Sequence, residues 1–150
     1  MRTRASSATH KSDEFSIDLT LTHKSFDPAD ISSSLSMQPS LSVKAGERAN
    51  RASLWQSVVA GGSDDVEFSE ALKRTVSVLT RHRKYFDDFT ASGGEIHITL
   101  NHFVEISTAT DFKDGEEDQT KFKLFELDLY PEFMESLAAL GIALKLCVWA

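Results

Sequence analysis

The feature that most constrains the fold is a strict alternation of apolar and polar side chains in the stretch FSIDLTLTH, near the start of the chain. The apolar set is Phe15, Ile17, Leu19 and Leu21, and the polar set is Ser16, Asp18, Thr20 and Thr22. A two-residue period is that of a β-strand with one buried face and one face towards water. The chain is therefore expected to build a sheet with an apolar side and a polar side.

Helical patterns follow this first strand. The stretch FDPADISSSLSM predicts a short helix, with Asp27 as its cap and Pro28 as its first helical residue. Residues 63–94 predict one long helix, because apolar residues recur there at intervals of three, four and seven. These residues are Phe68, Leu72, Val76, Leu79, Phe86 and Phe89. A second short helix is predicted over residues 130–141.

Four further strands are predicted, at residues 53–60, 95–107, 121–130 and 142–150, and residues 40–43 could form a short extended piece. The strands at 95–107 and 121–130 are expected to form a hairpin whose long acidic tip is Asp111 to Asp118. In the last strand the alternation places Ile142, Leu144, Leu146 and Val148 on the core side.

The order of elements is β-α-β-α-β-β-α-β, which predicts an α+β fold with an antiparallel or mixed sheet and helices on one face. The two ends of the chain share a run of aromatic residue, Pro, short helix and extended piece, which favours a ferredoxin-like, pseudo-duplicated arrangement. A chain of 150 residues, 41% of them hydrophobic, suits one domain. We expect that domain over residues 14–150, after a flexible tail at 1–13.

Charge and cysteine content narrow the function classes. The net charge of −7 argues against nucleic-acid binding, which needs a concentrated basic surface, and fits a basic protein partner better. Cys147 is the single cysteine, so no intramolecular disulfide forms, which favours a reducing compartment. No apolar run is long enough for a membrane span, and the first residues lack the apolar middle of a secretory signal. We therefore expect a cytoplasmic protein.

Several of these segments resemble a bacterial family of uncharacterised domains, domain of unknown function 4279. The resemblance is carried by FSIDLTL and DPADISSSLSMQPS, by Gly46, Arg51 and Trp55, by the long central helix, by EIHITL, and by FMESLAALGIALKLCVW. It runs from Phe15 to the end of the chain and implies a compact α+β domain that usually stands alone. No activity or catalytic residue comes with it. Small acidic cytoplasmic domains of this kind resemble immunity proteins, which inhibit a partner toxin.

The polar side of the sheet is the first candidate binding surface, because it mixes acidic and aromatic side chains. The residues that we expect to bind a protein partner are Asp18, His97, Phe103, Glu126, Asp128, Lys145 and Trp149. The first functional hypothesis is a non-enzymatic protein-binding module, in one form an immunity-type inhibitor. Homodimerisation through sheet faces or edges is the alternative.

The stretch KAGERANRASLW is the second candidate, because basic residues lie beside a Trp. Lys44, Arg48, Arg51 and Trp55 could form the cradle of a domain that binds anions or small molecules. Trp55 could instead anchor the core, and the arginines could pair with the protein's own carboxylates.

Enzymatic readings lack a convergent set of residues. Cys147 would need His97 as its base, and the two lie on different predicted strands. A hydrolase would have to use Glu126, Asp128 and His97. We expect no cofactor, and no metal site because His97 and His102 fall on opposite faces of their strand.

Overall fold

The computed structural model describes residues 14–47, 51–103 and 128–149. In this part of the chain there are five strands and four helices. The strands are β1 (Phe15–His23), β2 (Leu41–Val43), β3 (Ser53–Gly62), β4 (Glu95–Phe103) and β5 (Ala143–Trp149). The helices are α1 (Pro28–Leu35), α2 (Asp65–Arg81), α3 (Arg83–Ala91) and α4 (Pro131–Ala139).

The strands form one mixed sheet in the order β2-β3-β1-β4-β5. β1 is antiparallel to both of its neighbours, β3 and β4, whereas β5 runs parallel to β4. The predicted α+β class is therefore confirmed. The split β-α-β unit of ferredoxin-like folds is formed by β3, α2–α3 and β4 around β1. β2, the strand after α1, is antiparallel to β3 and is therefore parallel to β1, from which β3 separates it. β5, the strand after α4, is parallel to β4 and lies directly beside it, so the two ends of the chain place their last strands differently.

The core lies between the sheet and the helices. All four predicted apolar residues of β1 are buried, Ile17, Leu19 and Leu21 completely. They pack in one cluster with apolar residues of β3, β4 and all four helices. The strands β1, β3 and β4 therefore contribute alternate apolar side chains to the helix-covered face, and hydrophobic burial holds the two layers together.

The helix starts follow local chemistry. The Asp27 carboxylate accepts a hydrogen bond of 2.9 Å from the Ala29 backbone N–H, with Pro28 at the first helical position. Asp64 does the same for α2, accepting from the backbone N–H of Glu67 at 2.8 Å. These caps satisfy backbone donors that the first helical turn leaves unpaired.

The predicted long central helix is wrong in one respect, because it is two helices. α2 ends at Arg81, α3 begins at Arg83, and His82 between them leaves the helical conformation with φ −108° and ψ 20°. No Gly or Pro lies at this junction. The two helices contact opposite ends of β1: Phe68 of α2 packs against Phe15 at its start, and Phe89 of α3 packs against His23 at its end.

Two expectations for the last strands are also corrected. Both edges of β4 are occupied, by β1 and β5, so Glu95–Phe103 does not form the predicted hairpin, whose residues 104–107 and 121–127 lie outside the described part of the chain. Leu146 and Val148 lie on the helix-covered side of β5 but are 57% and 72% exposed, because the described helices do not reach the end of this edge strand.

Other predicted features lie outside the described residues: the tail at 1–13, Arg48, the acidic tip, and Glu126. Within the described ranges, no helix combines the length and the apolar character needed to cross a bilayer.

Candidate functional site: the open face of the sheet

The face of the sheet opposite the helices, called the open face below, gathers polar and aromatic side chains from four strands and aliphatic ones from β2. The strand register fixes which residues share it: Thr20 lies opposite Gln56 and His97, Asn101 opposite Cys147, and Phe103 opposite Trp149. At the other side of the face, Leu41 of β2 lies beside Gln56. Four of the predicted partner-binding residues, His97, Phe103, Lys145 and Trp149, therefore share one surface with the fifth, Asp18.

Asp18 lies at the centre of this face and is only 7% exposed. Its Oδ2 accepts hydrogen bonds from Gln56 Nε2 at 3.1 Å and from Asn101 Nδ2 at 2.8 Å. Its Oδ1 is buried and has no hydrogen-bond partner among the described residues. The β-bulge between Ile17 and Asp18 falls at this position, so the strand is irregular where the carboxylate lies.

Asn101 connects this carboxylate to an exposed aromatic ring. Its Nδ2 donates to Asp18 and also, at 3.2 Å, to Ser16 Oγ. Its Oδ1 accepts a hydrogen bond of 2.9 Å from the indole Nε1 of Trp149. Trp149 is nevertheless 55% exposed, and Phe103 beside it is 41% exposed. The amide thus fixes the orientation of an indole whose ring remains open to solvent.

His97 lies on the same face but outside this hydrogen-bonded group. Its Nε2 is 3.7 Å from a Glu95 carboxylate oxygen, and its Nδ1 is buried with no partner in the described part of the chain. Lys145 is exposed and lies opposite Thr99. The face therefore carries both signs of charge around its buried carboxylate.

The side chains considered above for catalysis lie apart from one another in the structure. His97 lies opposite Ala143, and Cys147 lies opposite Asn101, four residues further along the strands. Four residues of strand span about 13 Å, which is beyond direct proton transfer between the thiol and the imidazole. Asp128 is exposed and lies before α4 rather than in a described strand. Among the residues that the structure describes, no three His, Cys, Asp or Glu side chains are grouped to hold a metal ion.

The predicted anion cradle is not assembled around Trp55. This side chain is fully buried on the helix-covered face, and its Nε1 donates to Ser32 Oγ at 2.9 Å. The ring is therefore inaccessible to an anion. Lys44 Nζ lies 3.3 Å from a carboxylate oxygen of Asp27, and Arg51 is exposed. The Ala29 N–H and the Lys44 ammonium hold the pKa of Asp27 below its ordinary value.

Sequence reasoning missed the two amides that hold Asp18. Gln56 and Asn101 occupy polar positions of their strands, but nothing in the sequence shows that β3 and β4 flank β1. Parity places Asn101 on the polar side of its strand, whereas Gln56 lies in a strand whose two sets of alternate residues are both mixed, so parity leaves its face open.

Comparison with known proteins identifies a family and assigns no chemistry to the open face. No match was found among the curated proteins or among the solved structures. The family model described as "Domain of unknown function (DUF4279)" matches residues 13–150, nearly the whole chain. The protein is therefore a member of the DUF4279 family.

Proposed function

We propose that this domain is a binding module whose open face contacts a protein partner with a basic surface. One observation carries the proposal. The indole of Trp149 is half exposed, yet it is held in place by Asn101, which is held in turn by the buried carboxylate of Asp18.

Such an arrangement suits recognition because an ordered aromatic ring loses little conformational freedom when a partner covers it. Tryptophan is enriched among the residues that contribute most to protein interfaces, where its ring supplies area and its N–H remains paired. The hydrogen bond to Asn101 is made before any partner arrives. Trp149 would therefore act as a preorganised anchor, with Phe103 next to it.

The exposed apolar side chains extend the contact area across the sheet. Leu41 and Val58 are 48% and 49% exposed, and both lie on the open face with Phe103 and Trp149. From β2 to β5 the sheet is about 19 Å wide, taking about 4.8 Å per strand spacing. A patch of this width fits one side of a protein interface better than it fits a small molecule.

Charge favours a basic partner over a second copy of the chain. The chain has a net charge of −7, so two copies repel each other, whereas a basic surface is attracted. Glu95, whose side chain is 74% exposed, places a carboxylate on the open face. The affinity should therefore fall as the salt concentration rises.

The test uses a photo-crosslinking amino acid at matched positions on the two sides of the molecule. Phe103 and Trp149 report on the open face. Met134 on α4, 42% exposed, and Leu146 on the other side of β5, 57% exposed, are controls of equal accessibility. Crosslinking in the native host should give a discrete partner from the open-face positions only.

The captured partner is then purified and its affinity is measured by calorimetry. We expect Trp149→Ala to weaken binding by about 10- to 100-fold and Leu146→Ala by less than about 2-fold. Equal crosslinking from both sides, equal loss in the two variants, or capture of a second copy of this chain would contradict the proposal.

An immunity-type inhibitor is the form of this proposal in which the partner is a toxin. The small size and the net negative charge of the domain support this form of the proposal. If the captured partner is a toxin, addition of the domain should inhibit it, and Trp149→Ala should relieve the inhibition in proportion to the lost affinity.

A further inference from the structure

A cleft of about 530 Å³ lies away from the hydrogen-bonded centre of the open face, between the end of α1, the middle of β3 and α2. This volume is typical of sites for small molecules. Its walls bring three basic side chains of one helical stretch to a single concavity: Arg74, Arg81 and His82.

The two arginines differ from the other basic residues around them. Lys73 pairs with Glu70 at 3.6 Å, and Arg83 lies 3.9 Å from a carboxylate oxygen of Asp87. Lys84 pairs with a carboxylate one turn away in the same manner. Within the described ranges Arg74 and Arg81 have no such ion pair. Their donors are therefore not committed to the protein's own acids.

The other residues that line the cleft are also compatible with a bound anion. None of the described residues that line the cleft is Asp or Glu, although the chain carries a net charge of −7. Ser77 lies between the two arginines on α2, and Ser36 lies on the opposite wall, so hydroxyl donors are present on both sides. Buried Leu35 and Val59 supply apolar surface beside these groups.

We propose that this cleft binds an organic phosphate, with Arg74 and Arg81 holding the anionic groups. Guanidinium groups donate paired hydrogen bonds to phosphate oxygens, and a site that excludes carboxylates keeps these donors available. The arginines are two helical turns, or about 10 Å, apart along α2, which favours a ligand with two linked phosphates over a single one. The apolar wall would contact the organic part of the ligand.

This site is not the predicted cradle of Lys44, Arg48, Arg51 and Trp55. It borders the open face at Val58, but its anion-binding groups lie on α2 and do not depend on the partner-binding role of that face. It retains the hypothesis of a domain that binds anions, but it places the ligand at α2. A failed test here would leave the proposal for the open face unchanged.

The test is calorimetric titration of the full chain with inorganic phosphate, pyrophosphate and phenyl phosphate at constant ionic strength. Pyrophosphate and phenyl phosphate should each bind more tightly than phosphate, the first through its second anionic group and the second through its ring. The double variant R74Q/R81Q should bind pyrophosphate about 10- to 100-fold more weakly than wild type. Its circular dichroism spectrum and thermal midpoint check that it folds.

The matched control is K73Q/R83Q, which removes the same two charges from the neighbouring positions outside the cleft. It should retain the wild-type affinity within about 2-fold, whereas a general charge effect would weaken binding equally in both variants. The ring resonances of His82 should shift on titration of the wild type. Two results would overturn the proposal. One is that none of the three anions binds at concentrations up to about 10 mM, and the other is that both double variants lose affinity equally.

Discussion

The two faces of the sheet are made from alternate residues of the same strands, but they are completed in different ways. On the helix-covered face, apolar side chains from strands and helices bury one another. On the open face, a buried carboxylate is surrounded by amides, and large apolar side chains stay exposed around it. The first arrangement stabilises the fold through burial, whereas the second fixes polar geometry at a surface that still has apolar area to bury.

The two tryptophans make the comparison concrete. Each indole N–H donates a hydrogen bond of 2.9 Å, from Trp55 to Ser32 and from Trp149 to Asn101. Trp55 is fully buried, and Trp149 is 55% exposed. The two hydrogen bonds have the same length, so the residues differ chiefly in how far their rings are buried. Orientation without burial is the property that we assign to binding.

The largest expected effect comes from truncating the two indoles. Trp55→Ala should lower the free energy of unfolding by about 3–5 kcal/mol, because it leaves a cavity in the core. Trp149→Ala should cost about 1 kcal/mol, the value of one hydrogen bond and partial burial. Urea denaturation of both variants measures the difference. Equal losses would show that Trp149 belongs to the structural core, which would remove the main support for the binding proposal.

A smaller effect is expected from removing the carboxylate at the centre of the open face. Asp18→Ala leaves amide donors of Gln56 and Asn101 without their acceptor, so the free energy of unfolding should fall by about 1–3 kcal/mol. The same change should release Asn101 and shift the indole N–H resonance of Trp149, while that of Trp55 stays in place.

Thr22→Ala is the control for this variant, since Thr22 is a polar residue of the same strand and face outside the Asp18 group. It should leave the Trp149 resonance unchanged. An unshifted resonance in Asp18→Ala would mean that Asn101 holds the indole without help from the carboxylate, and the chain of contacts through Asp18 would be disproved.

The features that the sequence predicted are those set by near neighbours. Alternation identified β1 because one face of it is buried, and the spacing of Asp27 and Pro28 identified the start of α1. The α+β class follows from the order of such local signals. The assignment of Asp18, His97 and Phe103 to one face also needed only parity.

What the sequence did not predict depends on contacts between distant segments. The pairing of β4 with β5 in place of a hairpin is decided by which strands meet in the sheet. The junction at His82 has no helix-breaking residue, so no local signal marks it, and the apolar spacing continues through it to the buried Phe86 and Phe89. The group around Asp18 joins residues 38 and 83 positions apart, and no local pattern reports such a distance.

The smallest expected effect concerns the hydroxyl of Tyr85, a buried polar group on the helix-covered side of the sheet. The hydroxyl of Tyr85 on α3 is buried and no described group meets full hydrogen-bond geometry with it, although the Ser34 hydroxyl is close enough to act against burial on its pKa. Tyr85→Phe removes the hydroxyl and keeps the ring that stacks on Phe89. At neutral pH the free energy of unfolding should change by less than about 1 kcal/mol, because no well-formed hydrogen bond is lost.

The difference in stability between Tyr85→Phe and wild type should grow in favour of the variant as the pH rises. Burial raises the pKa of Tyr85 above its ordinary value of 10.0, so the unfolded chain ionises first as the pH rises through 10. The native state then binds more protons than the unfolded state, and the stability from this group is lost between the unfolded and the folded pKa. Tyr85→Phe should therefore lose less stability than wild type between pH of about 9 and 11, as measured by urea denaturation. If Tyr85→Phe is less stable than wild type by more than about 1 kcal/mol at neutral pH, the Tyr85 hydroxyl makes a hydrogen bond in solution and the prediction is wrong.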